Sequence, residues 1–163
     1  MTENDVINLL KKAAQINITI WISGGWGISA LMGKQIRPHN DIDIFVQKTD
    51  ADNFIKMLVS DGYRENKMEY TTNNHTVWQD ADNRIIDLHL YELAENGNLR
   101  FDDYLVPIDL FDGKGKIGGM EVQCLTAEAQ LLFHQGYEHS EKDKLDVLLL
   151  CETFGFEIPE QYR

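Results

Sequence analysis

The pattern of apolar and polar positions predicts short strands that alternate with amphipathic helices. Apolar residues recur at helical spacing from Asp5 to Gln15, which predicts a first helix. The β-forming run from Ile18 to Ile22 predicts a buried strand, and Trp26–Met32 predicts a short helix that ends at Gly33. Strict alternation over Asp41–Val46 predicts a second strand.

A further helix is predicted directly after this second strand. Thr49 and Asp52, three residues apart, are typical of a capping box at a helix start. The helix is expected to end near Asp61, before Gly62. It is expected to bury four apolar side chains, those of Phe54, Ile55, Leu58 and Val59.

The rest of the chain predicts strands first and helices last. Tyr63–Leu93 has the pattern of antiparallel strands separated by turns rich in Asn and Asp. Asp112–Gly119 predicts a glycine-rich loop that forms a hairpin, and Met120–Leu125 predicts a last strand. Thr126 is a predicted cap for a helix to about His134, and a capping box at Ser140 predicts another helix from residue 141 to 154.

Together these elements predict a mixed α/β protein of the α+β class, with a central mixed sheet flanked by helices. Residues 1–125 are expected to form the α/β core and residues 126–163 a C-terminal helical unit. A chain of 163 residues is long enough for one compact domain with a proper hydrophobic core.

Composition narrows the classes of partner. Fifteen basic and 27 acidic residues give a net charge of −12, which opposes nucleic-acid binding and favours cationic small molecules. The two cysteines, Cys124 and Cys151, lack metal-ligand spacing and predict reduced, buried thiols. The sequence shows no signal peptide and no long apolar run, so we expect a soluble, cytoplasmic protein with no membrane partner.

The candidate chemistry begins with the strand at Asp41. Side chains two residues apart on a strand share a face, so Asp41 and Asp43 are expected to lie side by side. Two adjacent carboxylates repel each other unless a cation neutralises them, and Mg²⁺ prefers carboxylate oxygens. Upstream, Gly24 and Gly25 would let the backbone approach a phosphate at the start of the following helix.

A third carboxylate is predicted on the strand from Arg84 to Leu93. Asp87 stands on the face opposite Leu88 within an otherwise apolar strand, where a carboxylate is costly unless it is paired or binds a metal. We therefore expect Asp87 to reach the Asp41 strand from a neighbouring strand. The alternative is a structural carboxylate that pairs with Arg84 or a lysine.

Four segments carry a closer resemblance to a known family. They are Ser23–Gly27 (SGGWG), Gly33–Ile44 (GKQIRPHNDIDI), the strand around Asp87–His89 and Glu128–Tyr137 (EAQLLFHQGY). In this combination they resemble the small lincosamide nucleotidyltransferases of the nucleotidyltransferase superfamily. The sibling aminoglycoside 2″-nucleotidyltransferases share the Gly-Gly-Trp turn, a histidine two residues before the aspartate pair, and the later aspartate.

The resemblance implies a nucleotidyltransferase fold and the Mg²⁺-dependent transfer of AMP from ATP to an antibiotic hydroxyl. It covers Trp21 to about Asp146 and includes departures. Ser23 stands where the lincosamide enzymes carry Asp, and Phe45-Val46 follow the aspartate pair where a further acidic residue is expected. The segment from residue 92 to 118, expected to shape the acceptor pocket, matches poorly.

The mechanism assigns a role to each candidate in the core motif. Asp41 and Asp43 are expected to hold one or two Mg²⁺ ions that bridge the triphosphate. Asp87 either completes the second metal site or accepts the proton of the attacking hydroxyl. Gly24 and Gly25 are expected to hold phosphate oxygens.

Four further side chains are candidate nucleotide contacts. Lys34 and Arg37 lie where their loop could fold over the triphosphate. His39 would either orient Asp41 by a hydrogen bond or contact the pyrophosphate. Trp26 would contact the nucleotide or belong to the core.

For the acceptor, the motifs favour a lincosamide ahead of an aminoglycoside. The candidate acceptor contacts are His89, Tyr91 and Tyr104, and the apolar stretch Phe101–Phe111 would supply a partly apolar wall. An aminoglycoside is the alternative, because a polycation is attracted to an acidic cleft. A homodimer is expected on size, since a chain this short has only a shallow cleft for two substrates.

Two other classes compete with this interpretation. Metal-dependent glycosyltransferases also use an Asp-x-Asp strand, but they are usually much longer. A non-catalytic nucleotidyltransferase-like module or antitoxin would have a degenerate site, whereas all three carboxylates and both glycines are present here.

Overall fold

The computed structural model of the protein describes residues 1–135 and 140–163. The described helices are α1 (Glu3–Gln15), α2 (Gly24–Met32), α3 (Ala51–Ser60), α4 (Ala127–Phe133) and α5 (Glu141–Phe154). The described strands are β1 (Trp21–Ser23), β2 (Asp41–Gln47), β3 (Arg64–Glu65), β4 (His75–Gln79), β5 (Ile85–Leu93), β6 (Asn98–Phe101), β7 (Tyr104–Pro107), β8 (Gly113–Ile117) and β9 (Met120–Cys124).

The strands form one mixed sheet in the order β3-β4-β5-β2-β1-β9-β8, and the β6–β7 hairpin continues from the end of β5. β2 lies in the middle of the sheet, antiparallel to β1 and parallel to β5. β4 runs antiparallel to β5 on its other side. A mixed sheet flanked by helices confirms the predicted fold class.

One face of the sheet is apolar and forms the main core. The alternation of β2 and β5 directs to this face the buried side chains of Ile42, Ile44, Val46, Ile86, Leu88 and Leu90. The apolar stripes of α1 and α3 cover them, including Leu9 of α1 and Phe54 of α3. Burial of each large aliphatic side chain contributes about 1.5–3 kcal/mol, so this layer holds the central strands in place.

The C-terminal helices pack on α2. Ile28 of α2, Ala127 of α4 and Leu150 of α5 form a buried cluster. Thr126 caps α4, and the predicted capping box joins Ser140 and Asp143 at the start of α5. The predicted motif at residues 128–137 extends beyond residue 135, so its last two residues lie outside the described part of the chain.

Several local predictions were wrong. Thr49 and Asp52 form no capping box, because residues 48–50 make a 3₁₀ turn and α3 begins at Ala51 without a side-chain cap. Val59 is 45% exposed, since it lies one position past the buried Leu58 on the helix.

The glycine-rich segment after Asp112 is also more regular than predicted, because residues 113–117 form strand β8. It pairs with β9 as the predicted hairpin, turning at Gly118 and Gly119. The first strand is shorter than the β-forming run predicted, although Ile18 and Ile20 before it are buried. Among the described residues, none of the helices has the length and hydrophobicity needed to cross a bilayer.

Candidate active site

The register of the central strands brings the predicted carboxylates together. Asp43 on β2 lies beside Asp87 on the parallel strand β5 and beside Ser23 on β1. Neighbouring strands are about 4.8 Å apart, so these three side chains form one polar row across the sheet. Asp41 lies two residues away on the same face of β2 and is exposed.

A second row lies directly beside the first on the same face. It consists of paired positions on four neighbouring strands, namely Trp21, Phe45, His89 and His75. Phe45 and His89 stack with ring centroids 4.8 Å apart. The face opposite the core therefore presents carboxylates next to aromatic rings.

Neighbouring side chains of the protein leave no room for a side chain at Gly24 or Gly25. Gly24 begins α2 with a φ of +59°, and a side chain there would collide with the carboxylate of Asp43. A side chain at Gly25 would collide with His39 and Arg37. The missing side chains thus allow the start of α2 to lie against Asp43, and no phosphate is needed to explain them.

The pKa of Asp43 departs strongly from its usual value. Although part of its side chain reaches solvent, burial raises the pKa of Asp43 well above its usual value, and the negative charges of Asp87 and Asp41 raise it further. Within the described residues, no lysine or arginine forms an ion pair with Asp41 or Asp43. The negative charges of Asp41 and Asp43 are therefore not neutralised by a direct ion pair in the described part of the chain.

Asp87 has a partner that the sequence did not reveal. His75 Nε2 lies 2.5 Å from Asp87 Oδ1, and His89 Nε2 lies 3.7 Å from the same oxygen. Arg84, the partner considered in the structural alternative, instead pairs with Asp80 and Asp5. Burial and His75 lower the pKa of His89 to about 4, so His89 is neutral at pH 7.

His39 is placed differently from the prediction. Its Nε2 lies 2.8 Å from the hydroxyl of Ser29, and its ring packs against Trp26. No hydrogen bond joins His39 to Asp41 among the described contacts, so a direct orienting role is not supported. Burial and the nearby Arg37 lower the pKa of His39 to about 4.

Arg37 is held by a buried carboxylate on α5. Its guanidinium donates to Asp146 through Nε at 3.0 Å and Nη2 at 2.5 Å. Asp146 is 1% exposed, and the hydrogen bond to it raises the pKa of Arg37 above its usual value. This pair fixes the loop before β2 against α5, close to Gly25.

The remaining nucleotide candidates split between surface and core. Lys34 is exposed, after the left-handed Gly33 that ends α2. Trp26 is 1% exposed and belongs to the main core, so its ring faces no cleft and only its backbone remains as a phosphate contact.

The first row lines a cleft of about 360 Å³ together with Phe45, His89 and His75 of the second row. Trp21, the remaining member of the second row, lines a separate hollow. Beyond the sheet, the walls of the cleft come from α4 and the β6–β7 hairpin, which contribute Phe133, His134, Phe101 and Tyr104. Phe101 packs edge-on against Phe45 at 5.0 Å and stacks with Tyr104 at 5.4 Å. A larger hollow of about 640 Å³ lies between α2 and the β8–β9 hairpin, away from the carboxylates.

The candidate acceptor contacts divide accordingly. His89 and Tyr104 line the carboxylate cleft, but Tyr91 is buried against Trp21 and lines a separate hollow near Phe111. Within the predicted wall from residue 101 to 111, the cleft receives only Phe101 and Tyr104.

The sequence interpretation missed three side chains, two that line the cleft and one that holds Arg37 beside it. His75 could have been located by counting outward from the Asp80–Asn83 turn, which places it opposite His89. Asp146 could have been noticed because it lies one turn before the buried Leu150 on α5. No local signal indicated that Phe133 would reach the cleft from α4.

Comparison with known proteins agrees with this architecture. The profile of the aminoglycoside-2''-adenylyltransferase family matches residues 5–150. A lincosamide resistance protein of Staphylococcus haemolyticus is 29% identical over 158 residues, covering 90% of this chain and 92% of that protein.

Two solved structures have similar folds. The lincomycin-bound lincosamide antibiotic adenylyltransferase LnuA superimposes with a TM-score of 0.80 at 28% identity, covering 92% of this chain and 96% of that one. ANT(2")-Ia in complex with adenylyl-2"-tobramycin has a TM-score of 0.78 at 20% identity, covering 94% and 89%. These matches confirm the resemblance that the sequence motifs indicated. The carboxylate row, the glycine turn and the family profile together show that the chain belongs to the aminoglycoside-2''-adenylyltransferase family, a family of antibiotic nucleotidyltransferases.

Proposed function

We propose that the protein transfers AMP from ATP to a hydroxyl of a lincosamide antibiotic and thereby inactivates it. The observation that carries the proposal is the cleft itself, in which the row of Asp43 and Asp87 adjoins an aromatic wall. The carboxylates suit phosphoryl chemistry, and the wall suits an acceptor with an apolar part. The need for ATP supports a cytoplasmic location.

The carboxylates fit a divalent cation. Asp41, Asp43 and Asp87 lie on one face of two adjacent strands, and burial together with the negative charges of Asp87 and Asp41 raises the pKa of Asp43. Carboxylate oxygens favour Mg²⁺. We propose that they hold one or two ions. Bound there, Mg²⁺ supplies neutralising charge for the triphosphate and for the phosphorus under attack.

The start of α2 is the proposed phosphate contact. The first N–H groups of a helix have no partner within it, and the Ser23 hydroxyl makes no cap bond to them. It lies instead 3.4 Å from the side-chain oxygen of the buried Gln130. The N–H groups at Gly24 and Gly25 can therefore donate to phosphate oxygens beside Asp43.

Arg37 and Lys34 are the proposed cationic contacts of the triphosphate. The guanidinium of Arg37 lies against Gly25 while Asp146 holds it. This arrangement orients a positive charge toward the phosphate position at the start of α2. Lys34 is exposed on the loop after the C-terminal end of α2, so its proposed contact requires this loop to fold over the triphosphate.

Asp87 is the proposed proton acceptor or metal ligand of the transfer. It adjoins both Asp43 and the aromatic row, so an acceptor hydroxyl in the cleft would lie within its reach. The contact from His75 orients one oxygen of Asp87. The other oxygen remains to accept a proton or to bind the cation.

An apolar wall favours a lincosamide as the acceptor. Phe45, Phe101 and Phe133 contact one another and leave little of that side polar. A lincosamide carries one amine beside an apolar alkyl chain, whereas an aminoglycoside carries several ammonium groups. The net charge of −12 is the observation that supports an aminoglycoside as the second candidate.

Replacement of the carboxylates should separate their roles. Asp41→Asn and Asp43→Asn should abolish transfer, because each removes a ligand for the proposed cation. If Asp87 is the base, Asp87→Asn should lower kcat by about 10²–10⁴-fold with little change in ATP affinity. Steady-state release of pyrophosphate measures both quantities.

Asp52→Asn, an exposed change on α3, is the matched control and should leave turnover unchanged. A weakened Mg²⁺ dependence in Asp87→Asn would instead identify a metal ligand. Near-normal turnover in Asp87→Asn would remove Asp87 from the mechanism.

Asp43→Asn should also stabilise the metal-free protein at neutral pH. The pKa of Asp43 is raised in the folded state, so the folded protein binds a proton more tightly than the unfolded chain. The free energy of unfolding therefore falls as the pH rises from about 4 through that raised pKa, and the asparagine removes this loss. Urea unfolding with a chelator, measured from pH 4 to pH 8, tests the difference.

The gain from Asp43→Asn should shrink toward pH 4, and Mg²⁺ should stabilise the original protein more than the variant. Exposed Asp41 provides the comparison, and its asparagine variant should gain less. A variant less stable than the original at every pH would contradict the repulsion among the carboxylates.

The acceptor can be decided by a direct assay. In the presence of ATP and Mg²⁺, the protein should release pyrophosphate when lincomycin or clindamycin is added as acceptor. It should not do so with kanamycin-type aminoglycosides. Lincosamide binding should change little between low and high salt, since screening weakens polycation binding far more than monocation binding. Modification of kanamycin alone would overturn the lincosamide assignment.

A homodimer is the proposed assembly. The end of β5, the β6–β7 hairpin and the turn after it expose several large apolar side chains, namely Leu93, Tyr104, Leu105 and Ile108. Light scattering should give twice the 18.8 kDa of one chain. Leu105→Glu should shift the protein toward monomer. Leu145→Glu, at an exposed position on α5, should not. A monomer at working concentration would contradict the proposal.

A further inference from the structure

Three potential metal ligands converge beside the carboxylate row. Among the described residues, His75, Asp87 and His89 form the one group of three whose ligand atoms all lie within 4.8 Å of one another. Both histidine Nε2 atoms face the same oxygen of Asp87, at 2.5 Å and 3.7 Å. The three side chains are about one-fifth exposed, so the group is open to solvent on one side.

The sheet holds this group in a fixed arrangement. His75 on β4 pairs directly with His89 on β5, and their rings stack with centroids 4.1 Å apart. Asp87 lies two residues before His89 on the same face of β5. All three positions are therefore set by the register of one antiparallel pair.

The ligand chemistry differs from that of the aspartate pair. Imidazole nitrogens suit Zn²⁺, Ni²⁺ and Cu²⁺, whereas Mg²⁺ takes oxygen ligands in octahedral geometry. Tetrahedral zinc with bonds near 2.0 Å needs ligand atoms about 3.3 Å apart, which lies between the two distances to Asp87. Small rotations of the side chains would supply three ligands and leave a fourth position for water.

We propose that His75, Asp87 and His89 form a binding site for zinc, which differs from the proposed Mg²⁺ site in its two histidine ligands. The two sites share Asp87. Zinc there would withdraw Asp87 from the transfer reaction, so the site would be inhibitory, a consequence that rests on the proposed function. The binding site itself does not depend on it.

Zinc binding can be measured without nucleotide or acceptor. Calorimetric titration of the metal-free protein should detect one zinc site, and Co²⁺ at the same site should give the visible absorption of a tetrahedral ion. His75→Ala and His89→Ala should each weaken zinc affinity by at least roughly 10–100-fold. That range is typical for the loss of a residue that only hydrogen-bonds to a metal ligand, and the loss of a ligand itself should cost no less.

Two variants separate the site from its neighbours. His75→Asn keeps a hydrogen-bond donor for Asp87 but loses the imidazole ligand, so it should lose zinc affinity even where the alanine variant folds poorly. Asp41→Asn, which lies outside the group, should leave zinc affinity nearly unchanged. Circular dichroism establishes that each variant is folded.

Three results would overturn the site. They are no zinc binding by the original protein, unchanged affinity in both histidine variants, and loss of binding in Asp41→Asn but not in His75→Asn. The last would show that zinc binds the aspartate pair and that His75 only donates to Asp87.

A transfer assay with fixed Mg²⁺ and increasing Zn²⁺ tests the consequence. We expect inhibition by zinc at concentrations far below that of Mg²⁺, and weaker inhibition in any histidine variant that retains transfer. Transfer without zinc binding would sink this proposal and leave the function intact. Zinc binding without transfer to any antibiotic would support the zinc site and contradict the proposed function.

Discussion

The parallel pairing of β2 with β5 is the constraint on which the site depends. It places Asp43 beside Asp87 within a central sheet, at a separation that backbone hydrogen bonds fix. The two carboxylates cannot move apart to relieve their repulsion without breaking that pairing. The apolar layer beneath, with Ile44 and Leu88 fully buried, supplies the energy that holds the strands together against it.

A second constraint comes from the far end of the chain. Arg37 and Asp146 are 109 positions apart in sequence, yet they form the ion pair that fixes the loop before β2. A buried pair of this kind adds little net stability, but the loss of one partner leaves an uncompensated charge inside the protein. The pair therefore determines where the loop and its positive charge lie more than it determines how stable the protein is.

The sequence predicted the elements near the site well because their patterns are local. Alternation placed Asp41, Asp43 and Asp87 on their strand faces, and glycines marked the ends of α2 and α5. What it missed depends on register or on distant contacts. Local alternation does not state the register in which β4 pairs with β5, which is what brings His75 to Asp87.

Two side chains that the sequence left with alternative roles are positioned by tertiary contacts. Trp26 was expected either to contact the nucleotide or to belong to the core, and packing beneath the sheet places its ring in the core. His39 was expected to serve Asp41 because it is near in sequence, whereas its hydrogen-bond partner is Ser29 on the preceding helix. In both cases tertiary contacts overrode proximity along the chain.

The two walls of the cleft belong to different parts of the molecule. The polar row lies on central strands, while Phe101 and Tyr104 come from a hairpin attached at one end of β5. The hairpin can accept changes in side-chain size without altering the pairing of β2 with β5. It follows that the hairpin's share of the acceptor wall can vary while the carboxylate row stays fixed, so the proposed acceptor specificity can change without a change in the proposed chemistry.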